Sequence, residues 1–285
     1  MEFKSTLRPS QIAGTWYTSE PIALSNQIDN FINDAKVTEE DIHGKVIGLA
    51  APHAGHRFSG KTAGYAYKTI KGDKRDLVVI LSPFHQYFPG DLITTVYQAY
   101  STPLGEIPVD TDALVELENT LKKSNIPIHQ LSNDPEHSLE IQLPFLQRAL
   151  KVNFKLLPLM IRSRDAHLLE QAAEALFNVV KDQSFLIIAS TDLSHFFPLD
   201  IAEVMDAEML RQIKKMNPEG VLSAEKKGSA SACGASAVAV MLWLTKRAGA
   251  KEAFILNYST SADSTGDKTS VVGYGSAAVT TEKKV

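Results

Sequence analysis

Three histidines follow apolar, β-branched runs: Ile47–Ala51 leads to Pro52-His53, Val78–Leu81 to Pro83-Phe84-His85, and Ile187–Ala189 to Asp192-Leu193-Ser194-His195. Imidazole titrates near neutrality, so it can move a proton or, when neutral, bind a metal through a ring nitrogen. One such histidine reads as a hydrogen-bonded structural residue. Three of them have a reason to converge, because open α/β sheets bind ligands beyond the carboxyl ends of their strands. The single cysteine, Cys233, stands in Ser231-Ala232-Cys233-Gly234 just before an apolar helical stretch. A helix N-terminus favours thiolate, the form that binds metal; the other reading of a free cysteine is a small buried hydrophobe.

The elements that must position these groups are legible as periodicity. Lys45–Ala51, Leu77–Leu81, Leu92–Tyr97, Phe154–Ile161, Phe185–Ala189, Phe254–Tyr258 and Val271–Val279 read as strands. Ala23–Ala35, Lys61–Ile70, Asp112–Lys122, Leu139–Leu150, Ala166–Val180, Ile201–Met216 and Ala235–Ala248 carry apolar residues at helical spacing. Alternation of this kind predicts an α/β sheet with helices on both faces. No repeat or linker divides the chain, so residues 1–285 are expected to form one domain, with Met1–Leu7 and Thr280–Val285 as frayed ends.

Hydrophobic residues at 44% against 22% charged suit a chain that buries a core. A net charge of −4 without a Lys/Arg run lacks the footprint of a nucleic-acid or anionic-membrane binder, which leaves small molecules or peptides as expected partners. No apolar run reaches the ~20 residues of a membrane span, the first residues lack a secretory apolar core, and one cysteine cannot form an intrachain disulfide. A cytoplasmic location is the expectation.

Gly14-Thr15-Trp16-Tyr17, Ala51-Pro52-His53-Ala54-Gly55, Glu136-His137-Ser138-Leu139-Glu140, Ser190-Thr191-Asp192-Leu193-Ser194-His195 and Cys233-Gly234 together resemble the successive motifs of the Memo family, whose microbial members are often called AmmeMemoRadiSam system protein B. The likeness runs from near residue 8 to near residue 279. It implies a three-layer sandwich with a mixed, mostly parallel sheet, similar to class III extradiol dioxygenases, the non-haem iron enzymes that open catechol rings. It further implies His53, His85 and Cys233 as ligands of one mononuclear metal, with His195 as a non-ligating acid/base. Asp192 would orient the His195 ring. Trp16, Tyr17, His56 and His137 would belong to the substrate pocket. Ser82-Pro83-Phe84-His85-Gln86 departs from the family's usual second motif, which pairs two histidines there, so pocket shape and substrate are not carried over. Neighbouring labels in the family imply a functional link to a radical-SAM protein.

Two imidazoles and a thiolate suit iron or copper, with zinc also fitting, and three protein ligands leave room for water, dioxygen or substrate. A metal-dependent oxidoreductase or dioxygenase-like enzyme is the first expectation. A non-catalytic peptide- or protein-binding scaffold using the same pocket is the second, and a zinc hydrolase the third. Gly55-His56-Arg57-Phe58-Ser59-Gly60-Lys61-Thr62 also satisfies the P-loop pattern, a fourth reading as a nucleotide site. No Gly-x-Ser-x-Gly elbow is present, which argues against a serine hydrolase.

Overall fold

β-Branched apolar runs build the sheet, and amphipathic helices cover both of its faces. A computed structural model describes residues 1–3, 6–38 and 42–282. In chain order the elements are α1 (Pro21–Asp34), β1 (Lys45–Ala51), α2 (His56–Lys68), β2 (Leu77–Pro83), β3 (Leu92–Thr95), β4 (Ala99–Thr102), β5 (Gly105–Pro108), α3 (Thr111–Lys122), β6 (Ile128–Leu131), α4 (His137–Glu140) and α5 (Gln142–Ala149). There follow β7 (Lys155–Ile161), α6 (Ala166–Val180), β8 (Phe185–Ser190), β9 (His195–Phe197), α7 (Leu199–Lys214), α8 (Pro218–Lys226), α9 (Ala235–Arg247), β10 (Ala250–Thr260), α10 (Ala262–Thr265) and β11 (Val271–Thr281).

The main sheet has the order β10-β11-β1-β8-β2-β7-β3-β6, with β9 added beside β11. Its middle four strands, β1-β8-β2-β7, run parallel, while β11 pairs antiparallel with β1 and β3 antiparallel with β7. The parallel strands are buried almost throughout, as strands covered on both faces must be. Helices α1, α2 and α5 pack together on one side, and α3, α6, α7, α8 and α9 form the other layer. The expected sandwich is therefore present, with four parallel strands at the centre and a second parallel pair, β3 and β6, at one edge.

Helix α2 overturns the nucleotide reading. A P-loop must wrap phosphate with a loop, yet residues 56–68 are helical from the first position after Gly55. The pattern's second glycine, Gly60, serves packing: a Cβ there or at Gly64 would overlap Phe31 of α1. Thr62 is committed to Asn257 and Ser259 through its hydroxyl.

The expected fraying also needs correction. Lys45 pairs with Thr281 and Val46 with Thr280, so the last strand stays in register to residue 281. At the other end the Met1 ammonium lies 2.6 Å from Glu118. Lys4, Ser5 and residues 283–285 lie outside the described residues. Among those described, no helix is long and apolar enough to cross a membrane.

Candidate metal centre

Strands β1, β8 and β2 are neighbours and parallel, so their carboxyl ends emerge side by side. His53 lies two residues beyond β1, His85 two beyond β2, and His195 opens β9 after the turn that leaves β8. His137, the first residue of α4, enters from the adjoining helical layer. One ring nitrogen each from His53, His85 and His137 lies within 4.8 Å of the other two. The rings of His85 and His137 stack at 4.5 Å, and His53 stands nearly perpendicular to both.

Hydrogen bonding fixes which nitrogen the His53 and His85 rings present. Ser190 Oγ donates to the Ser138 carbonyl at 2.6 Å and accepts from Gln142 Nε2 at 2.8 Å. Its remaining lone pair can only accept, so His53 Nδ1, 3.0 Å away, carries the proton and Nε2 is bare. Glu136 Oε1 lies 2.8 Å from His85 Nδ1 and 3.4 Å from His137 Nδ1, while Oε2 accepts from the His85 backbone N–H. Burial alone would raise the Glu136 carboxyl, but hydrogen bonds from His85 and the nearby imidazoles hold it down to about 2. A carboxylate behind a ligating imidazole fixes its tautomer and raises its basicity. Burial lowers His53 and His137 below the ordinary histidine range, so both are neutral, as ligation requires.

The surroundings fit a cation. Behind the imidazoles, Arg8 bonds Asp134 Oδ2 at 2.9 Å and Glu140 Oε2 at 2.6 Å, and its third nitrogen reaches the Glu136 carbonyl. Two buried carboxylates thus share one guanidinium while the buried Glu136 carboxylate faces the imidazoles, and a metal ion in front of Glu136 would offset the surplus negative charge.

Cys233 stands beside this trio: its Sγ lies 3.1 Å from His53 Nε2 and 3.3 Å from the Asp192 backbone nitrogen. Loss of water around the sulfur and the charge of Asp192 push the thiol well above its ordinary range. Helix polarity was expected to favour thiolate; desolvation outweighs it here. Asp192 accepts from the backbone N–H groups of His53 and Ala54 through Oδ1, and burial nevertheless raises its carboxyl to about 7. The expectation that Asp192 orients His195 is corrected by the same geometry, since His195 Nδ1 bonds the Leu193 carbonyl at 2.8 Å. A carbonyl only accepts, so His195 keeps its proton on Nδ1 and presents a bare Nε2. Burial lowers its pKa.

These groups open into a pocket of about 400 Å³ lined by Thr15, Trp16, His53, Ala54, Gly55, Phe58, His85, His137, Asp192, His195, Val272 and Tyr274. Trp16 covers His137, with ring centroids 4.3 Å apart. Tyr17 and His56, expected in the pocket, stand behind its wall. The Tyr17 hydroxyl is drawn 2.8 Å from Glu140, and His56 is clasped by Gln27 and by the rings of Tyr17, Phe31 and Phe145.

Glu140 was read only as part of a motif, and it is the anchor of the N-terminal segment. Its two oxygens collect Ser10 Oγ, Tyr17 Oη, the backbone nitrogens of Gln11 and Ile12, and Arg8. Nothing in the sequence distinguished Arg8 or Tyr274 from surface or core residues.

Residues 8–278 match the family model described as "Memo-like protein". A "MEMO1 family protein" of Nitrosopumilus maritimus (strain SCM1) is 33% identical, over 94% of this chain and 98% of the relative. Another, from Saccharolobus solfataricus, is 31% identical over 92% of this chain and 95% of its own length. A third, from Saccharolobus islandicus (strain Y.G.57.14), is 32% identical with the same coverage.

Proposed function

The chain belongs to the Memo-like family, and from its site we propose that it is a metal-dependent oxidoreductase acting on a small molecule held beneath Trp16. The observation that carries this is the convergence of three imidazoles, two of them with the outer nitrogen hydrogen-bonded by Ser190 or Glu136. His53, His85 and His137 would hold one ion, and Cys233 would add a sulfur donor from beside His53. Imidazole with sulfur suits iron or copper, and such an ion supplies Lewis acidity, one-electron chemistry and affinity for dioxygen.

The protein's own part is acid–base work and exclusion of water. His195 Nε2, bare and facing the pocket, accepts a hydroxyl proton from the bound molecule. Asp192 fixes the backbone at His53 and Ala54 and so keeps the ligand loop in place. Trp16 shields His137 from solvent.

Three imidazoles are also the donor set of some catalytic zinc sites, which sustains a zinc hydrolase as the second reading. Elemental analysis of untagged protein separates the two. About one iron or copper per chain, lost in His53→Ala but kept in His195→Ala, is expected, with dioxygen consumption abolished in both variants. Stoichiometric zinc would favour hydrolysis, and failure to take up any of the three would overturn the metalloenzyme reading. Loss of metal from His195→Ala would show that His195 is not the base.

A further inference from the structure

Strand β11 reads Val271-Val272-Gly273-Tyr274-Gly275, and α7 explains the alternation. A Cβ at Gly273 would overlap the Asp206 carboxylate, and one at Gly275 would press on Leu210. Side chains are excluded from that face, and the two-residue period of a strand turns Val272 and Tyr274 to the other, where both line the pocket.

Tyr274 is only 2% exposed. A buried tyrosine hydroxyl ordinarily finds a partner. The three other buried tyrosines obey: Tyr17 donates to Glu140, Tyr67 to Gln142 Oε1 at 2.7 Å, and Tyr100 to Asp134 at 2.8 Å. Among the described residues the Tyr274 hydroxyl has no hydrogen-bond partner, and Tyr274 is one of the residues that line the pocket. Trp16 and Phe58 supply further aromatic wall, and among the described residues no lysine or arginine lines the cavity.

We propose that Tyr274 is a substrate-contacting residue whose hydroxyl donates a hydrogen bond to an oxygen atom of a neutral aromatic molecule bound across Trp16 and Phe58. This rests on the pocket being a substrate site. It adds a recognition group on the wall formed by β11, apart from the imidazoles. Tyr274 has no part in holding metal, so its hydroxyl can be removed without disturbing the ion.

Calorimetric titration of zinc-loaded protein with phenol, which stays neutral at pH 7 because phenols ionise near about 10, tests this. Toluene serves as the ring without oxygen. Tyr274→Phe is expected to weaken phenol binding about tenfold, the worth of one hydrogen bond, and to leave toluene binding and zinc content unchanged. Equal phenol affinity in wild type and variant would overturn the proposal. So would equal weakening of phenol and toluene, which marks a packing role, or no phenol binding by the wild type. If the wild type takes up none of iron, copper and zinc, the metal reading has failed; the same titration of the metal-free chain still reads the Tyr274 hydroxyl, with the same outcomes deciding.

Discussion

The two walls of the pocket are built in opposite ways. One is the end of the sheet, where His53, His85 and His195 leave buried strands and their orientation is set within a few residues of the hydrogen-bonded ladder. The other is the segment from Ser10 to Tyr17, which has no helix or extended strand and is held chiefly by one carboxylate, Glu140, with Arg8 at its base. The sheet wall fixes ligands by redundancy. The strap wall places Trp16 chiefly through one polar hub, with one further tie from the His56 backbone N–H to the Trp16 carbonyl at 2.9 Å, so the two should fail largely separately.

Glu140→Gln is the strongest way to break that contrast. Every group around the carboxylate is a donor, so an amide puts N–H against N–H or O–H and leaves Arg8 short of a buried counter-charge. A loss of about 3–5 kcal/mol in urea denaturation is expected, with metal content retained in whatever folds. His56, at the junction of the walls, gives the next effect. Burial lowers it to about 4, whereas the unfolded chain takes up the proton near about 6.5. Its contribution is therefore complete above about pH 6.5 and is lost as pH falls towards 4, a total of about 3 kcal/mol. Melting curves of wild type and His56→Phe across that range should show the slope flattened in the variant; parallel slopes would contradict the assignment. Ser190→Ala sharpens the comparison from the sheet side. It should cost only about 1–2 kcal/mol, yet freeing the His53 ring should weaken metal binding roughly 10–100-fold. Competition with a chelator measures that change, and unaltered affinity would show that Ser190 does not orient His53.

Repetition is what made the sheet wall readable. Apolar runs marked β1, β2, β7 and β8, and Ala166–Val180 matched α6 from end to end, because burial on one or both faces imposes a pattern. The hairpin β4–β5, strands β6 and β9, and helix α8 escaped because they are short or mixed in polarity. At the site, His53 and His85 stood out by position after strands, whereas His137 was expected by resemblance only as a pocket residue, with Cys233 in its place as third ligand. The strap wall left no periodic signal. Arg8, Asp134 and Glu140 are buried charges, and in a sequence a buried charge looks like a surface one. Tyr274 sits in an ordinary strand pattern, and its unpartnered hydroxyl is a property of packing alone. Cys233 teaches the converse: its helix-start position was legible, but the desolvation that reverses its ionisation was not.

Strand β11 comes last among the described strands yet lies inside the sheet, between β10 and β1. All three candidate imidazole ligands precede it by more than a hundred residues of chain, so on a growing polypeptide they are present long before Val272 and Tyr274. Until β11 docks, β1 keeps an unpaired edge of the kind that invites wrong partners. Pairings of such long sequence separation form slowly. The order of synthesis thus puts the candidate imidazole ligands ahead of the pocket's final wall, and the interval between the two is the one in which the open edge of β1 is exposed to misassociation.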